Sequence, residues 1–305
     1  MDSPPILLLL FNRPDLAEKV FEQIAKARPK KLFIAVDGPR PTVSGEGDLV
    51  IANREFAQKV DWPCEVLTLF SEENLGCGRA VRSAISWFFE HVDQGIILED
   101  DCLPNDSFFQ FTAEMLERYK HDEQVMMVNG TSYLPESVKS DLSYYFSIFE
   151  HVWGWATWRR AWEKYDVTMQ NFPGSPPVRS RLNGLSPLTR YYMRRNFSKA
   201  KNGLIDTWDY QWEHSIWDNL GLAIAPVHNL VSNIGFDERA THTSTITDGR
   251  ANRPVRPMPF PLSHPETIEA SKRLDDDYER RHLMSLPIAI RGFLRKLKFT
   301  SGGRN

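Results

Sequence analysis

Gly95-Ile96-Ile97-Leu98-Glu99-Asp100-Asp101-Cys102-Leu103-Pro104 runs three apolar residues into three consecutive carboxylates, with a glycine before and a proline after. The apolar half shows no alternation and is bounded by turn residues, so it reads as a short, fully buried strand. The acidic half then leaves the sheet at the strand's carboxyl end, where open α/β sheets bind ligands. Adjacent carboxylates repel one another and resist desolvation. A cation relieves both costs, and oxygen ligands on a tight turn suit Mg²⁺ or Mn²⁺ with positions left over for phosphate oxygens. The expectation is a metal–diphosphate site; the competing reading is a solvated acidic turn that caps the next helix.

Working outward, the segments before this stretch alternate in type. Ile6–Phe11, Leu32–Val36 and Glu65–Phe70 read as strands, and Ile96–Leu98 as the fourth. Between them, Asp15–Ala27 carries Leu16, Val20, Phe21 and Ile24 at helical spacing, with Pro14 at the first turn. Further helices are expected near Leu49–Val60 and over Arg79–His91. This βαβαβαβ order predicts an α/β fold with a mostly parallel central sheet and helices on both faces. Beyond Pro104 the pattern is more mixed. Ser107–Tyr119, Leu188–Ala200, Thr207–Leu220 and Asp277–Met284 read as helices, and Val125–Val128, Ser143–Phe149, Leu222–Ala225 and Leu230–Asn233 as extended pieces. His151–Trp162 is expected to turn helical around Thr157–Tyr165, and Asn171–Pro187 to be a loop.

Composition narrows the classes. A chain of 305 residues makes one large domain or two small ones, and 41% hydrophobic with 25% charged content is ordinary for a soluble protein. A net charge of −3 speaks against a nucleic-acid partner. Cys64, Cys77 and Cys102 form no CxxC pair, which argues against a disulfide framework or a zinc site and fits a reducing, cytoplasmic setting. Ile6–Phe11 has neither a basic leader nor a small-residue cleavage site after it, so it reads as a strand and not a signal peptide. Most of the nine tryptophans fall between Trp153 and Trp217, as a core or as walls of a sugar site.

Two nucleotide motifs are absent: there is no GxxxxGK[ST], and no GxGxxG after the first strand, whose exit is Phe11-Asn12-Arg13-Pro14. The strand exits instead resemble those of the GT-A class of nucleotide-sugar glycosyltransferases, in its N-acetylglucosaminyltransferase I-like branch. Asn74-Leu75-Gly76-Cys77-Gly78-Arg79-Ala80 is similar to the class's segment beside the nucleotide, Leu98-Glu99-Asp100-Asp101 to its metal-binding DxD segment, and Trp208-Asp209-Tyr210-Gln211-Trp212 to its Trp-Asp-x-x-Trp segment. Together with Phe11–Pro14, Val36–Arg40 and Gly154–Trp162, these resemble a bacterial glycosyltransferase group over roughly residues 5–245. The resemblance implies that Asn12, Arg13 and Asp37 hold the nucleoside side of the donor, with Asn74 and Arg79 beside it. It implies that Asp101 is the direct Mn²⁺ or Mg²⁺ ligand, with Glu99 and Asp100 serving the sugar, the ribose or a metal-bound water. Asp209 would be the general base and a late His242 the second metal ligand. Apart from the resemblance, Arg239 is a candidate diphosphate contact that could serve instead of His242. The donor would be a UDP-sugar by family habit. Val152-Trp153-Gly154-Trp155 only loosely matches the family's acceptor loop, so the acceptor, a saccharide or glycolipid, does not transfer.

The chemistry of glycosyl transfer fits these assignments. A divalent ion neutralises the leaving diphosphate, a carboxylate takes the acceptor's proton, and aromatic walls exclude water. A single base opposite the leaving group predicts inversion. Rival roles remain: Asp209 as a helix cap, Asp206, Glu213 and Glu150 as alternative bases, Arg13 and Arg79 as surface ion-pair partners, and Asp37 as a turn residue. Trp153 or Trp155, separated by Gly154, would line the sugar pocket; the alternative for the Trp153, Trp155, Trp158 and Trp162 group is the core. The expected organisation is a GT-A domain over 1–246, divided into a nucleotide-binding half (1–104) and an acceptor half (105–246), followed by an extension over 247–305. That extension holds a Pro-rich strap or linker and a basic amphipathic stretch, 288–299, suited to the inner face of a membrane or to docking on the domain. The rival functions are a sugar-phosphate nucleotidyltransferase and a non-catalytic carbohydrate-binding protein.

Overall fold

The computed structural model describes residues 3–135, 138, 140–236 and 251–284. The first half alternates as expected: β1 (Ile6–Leu10), α1 (Pro14–Ala27), β2 (Lys31–Val36), α2 (Glu46–Arg54), β3 (Glu65–Phe70), α3 (Cys77–His91) and β4 (Gln94–Glu99). After the acidic turn come β5 (Cys102–Pro104), α4 (Asp106–Arg118), β6 (Val125–Asn129), β7 (Tyr144–Ser147), β8 (Trp155–Trp158) and α5 (Arg159–Trp162). The chain continues through α6 (Pro176–Gly184), α7 (Pro187–Lys201), α8 (Asp209–Asp218), β9 (Leu222–Pro226), β10 (Val231–Asn233) and α9 (Lys272–Tyr278).

Eight strands make one sheet in the order β3-β2-β1-β4-β8-β6-β9-β7. Neighbours β3, β2, β1 and β4 are parallel, as are β6 and β9, while β8 and β7 run against their partners. This is a mostly parallel, Rossmann-like α/β architecture. The period-two geometry of a strand sends alternate residues to opposite faces. Ile6, Leu8 and Leu10 therefore join a core with α1 and α4, while Leu7 and Leu9 join a second core with α3, α7 and α8. With both faces covered, β1 is apolar throughout.

Two expectations change. The helix expected around Thr157–Tyr165 is present but begins later, as α5 at Arg159; Thr157 and Trp158 instead end a central strand, Trp155–Trp158, wedged between β4 and β6. Trp155 packs on one face and Ala156 and Trp158 on the other, so aromatic residues that fill both cores favour a strand over a helix. Asn171–Pro187 is not all loop, because α6 lies within it. Ser175 accepts a hydrogen bond from the Val178 N–H at 3.2 Å and Pro176 begins the helix, a start signal inside a Pro-rich stretch.

The Pro-rich segment is an extended strap. The Met258 N–H donates to Ser107 Oγ (3.0 Å), the Arg256 N–H to the Asn229 carbonyl (2.8 Å), and Asn105 Nδ2 to the Arg256 carbonyl (2.9 Å). Beyond it, Asp275 in the first turn of α9 accepts from Ser147 Oγ (2.6 Å) and the Ile148 N–H (3.1 Å). The stretch 288–299 lies outside the described residues, as do Arg239 and His242. Among the described residues no helix is long and apolar enough to cross a membrane.

Candidate active site

A cleft of about 340 Å³ opens at the carboxyl ends of β1, β2 and β4. Its floor is the acidic turn. Asp100 and Asp101 are buried, at 5% and 9% exposure, and both face Arg13, the residue immediately before the Pro14 start of α1. One nitrogen, Arg13 Nη2, donates to Asp100 Oδ1 at 2.6 Å and to Asp101 Oδ2 at 2.8 Å. Arg13 Nη1 reaches the Gly235 carbonyl at 3.4 Å. The remaining oxygen of Asp101 accepts from Asn233 Nδ2 at 3.3 Å, and the Asp101 carbonyl accepts from the Ile234 N–H at 2.8 Å. Antiparallel pairing of β5 with β10 brings these distant residues together.

The electrostatics follow from the crowding. Burial opposes the Arg13 charge, yet Asp100 and Asp101 outweigh it and hold the guanidinium above its ordinary value. Burial, then the charges of Asp101 and Asp100, push Glu99 upward. Asp100 is also raised, by burial in the first place, with Arg13 working against the rise.

The far wall comes from the β2 exit and the turn into α3. Asp37 accepts from the Gly38 N–H (2.9 Å), the Leu75 N–H (2.9 Å) and Asn74 Nδ2 (2.9 Å). Burial still holds its carboxyl above the usual range. Its turn role and its place in the cleft wall are therefore compatible. A side chain on Gly38 would overlap the backbone of Glu73, with 2.4 Å to its carbonyl carbon, so the two turns touch backbone to backbone. Asn12 Nδ2 donates to Glu46 Oε1 (2.8 Å), and Glu46, 1% exposed, also pairs with Arg40. Arg40 lines the cleft with its guanidinium 5.4 Å from the Phe11 ring centre.

Asn12, Arg13, Asp37, Asn74, Glu99, Asp100, Asp101 and Trp153 all line this cleft. Trp155 and Arg79 do not. Trp155 is fully buried and stacked on Trp208, with ring centres 5.6 Å apart, because β8 alternation sends it into the core. Trp153 meets Phe236 edge to face at 5.6 Å on the cleft wall. Arg79, on the outer face of α3, is exposed. Asp209 is the first residue of α8 and half-buried; its Oδ1 accepts from Thr207 Oγ1 and the Tyr210 N–H. It does not line the cleft, but it is near enough for its charge to raise Glu99 and Cys77. Asp206 does line the cleft, where it accepts from the Gly78 N–H at 2.9 Å near the start of α3. Half-buried Glu150 lies beside buried Glu213; both carboxyls are pushed upward, by burial first, and lie outside the lining.

Sequence reasoning assigned no individual role to Arg40, Glu46, Asn233 or Gly235. Arg40 stands inside the Val36–Arg40 motif and was readable there. Glu46 carried no signal, being one acidic residue in a polar loop, and Asn233 and Gly235 reach the acidic turn only through the β5–β10 pairing.

The donor chemistry of the turn suits a hard divalent ion: Asp100 and Asp101 present carboxylate oxygens to the cleft, and the guanidinium already held between them shows that the place accepts positive charge. Two carboxylates leave the rest of a shell to phosphate oxygens and water. Among the described residues no three His, Cys, Asp or Glu side chains converge as a ligand set.

No family model matches the chain, and no curated protein matches it. Among solved structures, the inositol-1-phosphate CTP transferase from T. maritima is similar over 53% of this chain and 74% of its own, at 10% identity and a TM-score of 0.33. HddC from Yersinia pseudotuberculosis is similar over 53% and 80%, at 12% identity and a TM-score of 0.31. The glycosyltransferase GlyE of Streptococcus pneumoniae TIGR4 is similar over 73% and 45%, at 7% identity and a TM-score of 0.36. Likenesses this distant carry no argument about activity.

Proposed function

We propose that the chain is a nucleotide-sugar-dependent glycosyltransferase of the N-acetylglucosaminyltransferase I-like branch. The observation that carries the reading is the convergence in one cleft of the β1 exit (Asn12, Arg13), the β2 exit (Asp37 with Asn74) and the acidic turn after β4 (Glu99, Asp100, Asp101). Asp37, Asn74 and Arg40 take the nucleoside end, and Arg13 takes the diphosphate. A Mn²⁺ or Mg²⁺ ion held by Asp101, with Asp100 beside it and His242 as the further ligand, would supply charge neutralisation of the departing diphosphate. Arg239 is the second diphosphate contact. Asp209 takes the proton from the acceptor hydroxyl, and attack from the face opposite the diphosphate inverts the anomeric carbon. Trp153 and Phe236 shield the sugar from water. The donor is a UDP-sugar and the acceptor a saccharide or glycolipid hydroxyl, in the cytoplasm, with the basic stretch 288–299 as a contact to the inner membrane face.

The nucleotidyltransferase reading is less well supported. The β1 exit passes straight into α1 through Arg13 and Pro14 without a Gly-rich loop, and among the described residues no lysine lines the cleft. The test is thermal stabilisation by UDP or GDP with Mn²⁺ present, lost in Asp101→Ala, followed by a screen of nucleotide sugars for slow donor hydrolysis. Absence of any metal-dependent nucleotide shift sinks the donor-site reading. Pyrophosphate release from a nucleoside triphosphate and a sugar phosphate would transfer the site to the rival chemistry.

A further inference from the structure

Arg13 and a divalent cation ask for the same oxygens. Arg13 Nη2 lies 2.8 Å from Asp101 Oδ2 and 2.6 Å from Asp100 Oδ1, in a triad whose side chains are 15%, 13% and 7% exposed for Arg13, Asp101 and Asp100. The other oxygen of Asp101 is held by Asn233 Nδ2 at 3.3 Å and faces the Cys102 thiol at 3.5 Å. A Mg²⁺ or Mn²⁺ ion sits about 2.0–2.2 Å from a carboxylate oxygen. An ion on Asp101 Oδ2 would therefore share an oxygen, in a buried setting, with a guanidinium that is itself positively charged. Two like charges that close are not held together there. The chain leaves little slack, because Gly235 presses on both groups: a Cβ there would lie 2.1 Å from Asp101 Oδ2 and 2.6 Å from Arg13 Nη1. Arg13 has to yield before the ion can settle. A diphosphate offers it new anionic oxygens in the fork geometry that arginine favours.

We infer that Arg13 is the resident counter-ion of the acidic turn, which a divalent cation displaces only when the donor's diphosphate takes Arg13 over, so that metal and nucleotide bind as a coupled pair. The inference rests on the donor-site reading above and deepens it. Coupling of this kind is reciprocal, so nucleotide tightens metal by the factor by which metal tightens nucleotide.

The experiment is a Mn²⁺ titration followed by the electron paramagnetic resonance of free Mn²⁺, with and without saturating UDP. It compares the wild type with Arg13→Gln and Arg13→Lys, each checked for folding by circular dichroism. In the wild type, UDP should tighten Mn²⁺ by about tenfold or more. Arg13→Gln should bind Mn²⁺ alone about tenfold tighter than the wild type, with the UDP effect falling below about threefold. Arg13→Lys keeps a charge but loses the second nitrogen, Nη1, that reaches the Gly235 carbonyl, and should tighten Mn²⁺ alone by about threefold; it carries the test by itself should the glutamine variant not fold. Folded variants that bind Mn²⁺ alone no tighter than the wild type, while the wild type still shows coupling to UDP, overturn the counter-ion role and leave the donor site standing. A wild type that retains no Mn²⁺ even with UDP overturns the metal-dependent reading itself, and the inference with it.

Discussion

Gly47 and Gly78 occupy the same helical position, second in α2 and second in α3, but in opposite surroundings. Alanine at either should gain up to about 1 kcal/mol of helix propensity over glycine. At Gly47 a Cβ would meet nothing within 4 Å, so the gain stands and Gly47→Ala should raise stability. At Gly78 the same Cβ would lie 2.7 Å from the Thr207 carbonyl oxygen and 2.7 Å from Asp206 Oδ1. Ordinary contact begins at 3.4 Å, so helix and loop must part by about 0.7 Å, and one of the clashing atoms is backbone. That movement stretches the 2.9 Å bond from the Gly78 N–H to Asp206 past useful range. A hydrogen bond to a charged group contributes about 1.5–3 kcal/mol, which exceeds the propensity gain. Gly78→Ala should therefore lose about 1–2 kcal/mol, a fall of about 1.5–3 °C in melting temperature for a chain of this length. Because Asp206 lines the cleft, UDP affinity should fall with it. Calorimetric melting of the two variants side by side cancels the helix term. If Gly78→Ala melts at or above Gly47→Ala, the packing of the α3 start against the 206–208 loop is not what orders this wall.

Three further outcomes follow from the same geometry. Burial raises the Asp275 carboxyl from 3.8 to about 6 despite hydrogen bonds from Ser147 and Ile148, so the folded state holds this proton more tightly than the unfolded one; its contribution is complete below pH 3.8 and is lost as pH rises through 6. At about 1.4 kcal/mol per pH unit the loss is about 3 kcal/mol, and the stability difference between wild type and Asp275→Asn, measured by urea titration, should change by that amount between pH 3.5 and 7.5; an unchanged difference rules the linkage out. Asp209→Asn keeps an Oδ1 able to accept from Thr207 and the Tyr210 N–H, so fold and UDP affinity should persist while donor turnover falls by about 10²- to 10⁴-fold; undiminished turnover removes Asp209 as the base. Trp155→Ala, in the core, should cost about 3–5 kcal/mol of stability, whereas Trp153→Ala should cost less and weaken donor binding more, as read by melting and by UDP titration.

How much was legible in the sequence varies from element to element. Strands β1 to β4 and helices α1 and α3 follow from local pattern: unalternating apolar runs, helical spacing and Pro or Gly at the boundaries are properties of neighbouring residues. The segment around Trp155 was opaque because its aromatic residues satisfy helical or strand spacing alike, and only the gap between β4 and β6 makes it a strand. Helix α6 was missed because prolines usually break a helix, although Pro176 and Pro177 lie at its first turn, where the missing N–H does no harm.

The candidate site divides along the same line. The acidic turn, the Asn12-Arg13-Pro14 exit, the Asp37 exit and the Asn74 turn were readable by residue number, since each ends a recognisable element. What the local pattern could not contain was their company. Arg13 sits between Asp100 and Asp101 because β1 and β4 are parallel neighbours, 87 and 88 residues apart along the chain. Asn233 and Gly235 close on Asp101 because β10 pairs with β5, and Asp206 meets Gly78 across 128 residues. Sequence by itself determined where strands end and which charged groups stand at those ends, because short-range spacing encodes both. Only the tertiary structure decided which charge faces which, because a buried ion pair depends on strand order and close packing between segments far apart in the chain.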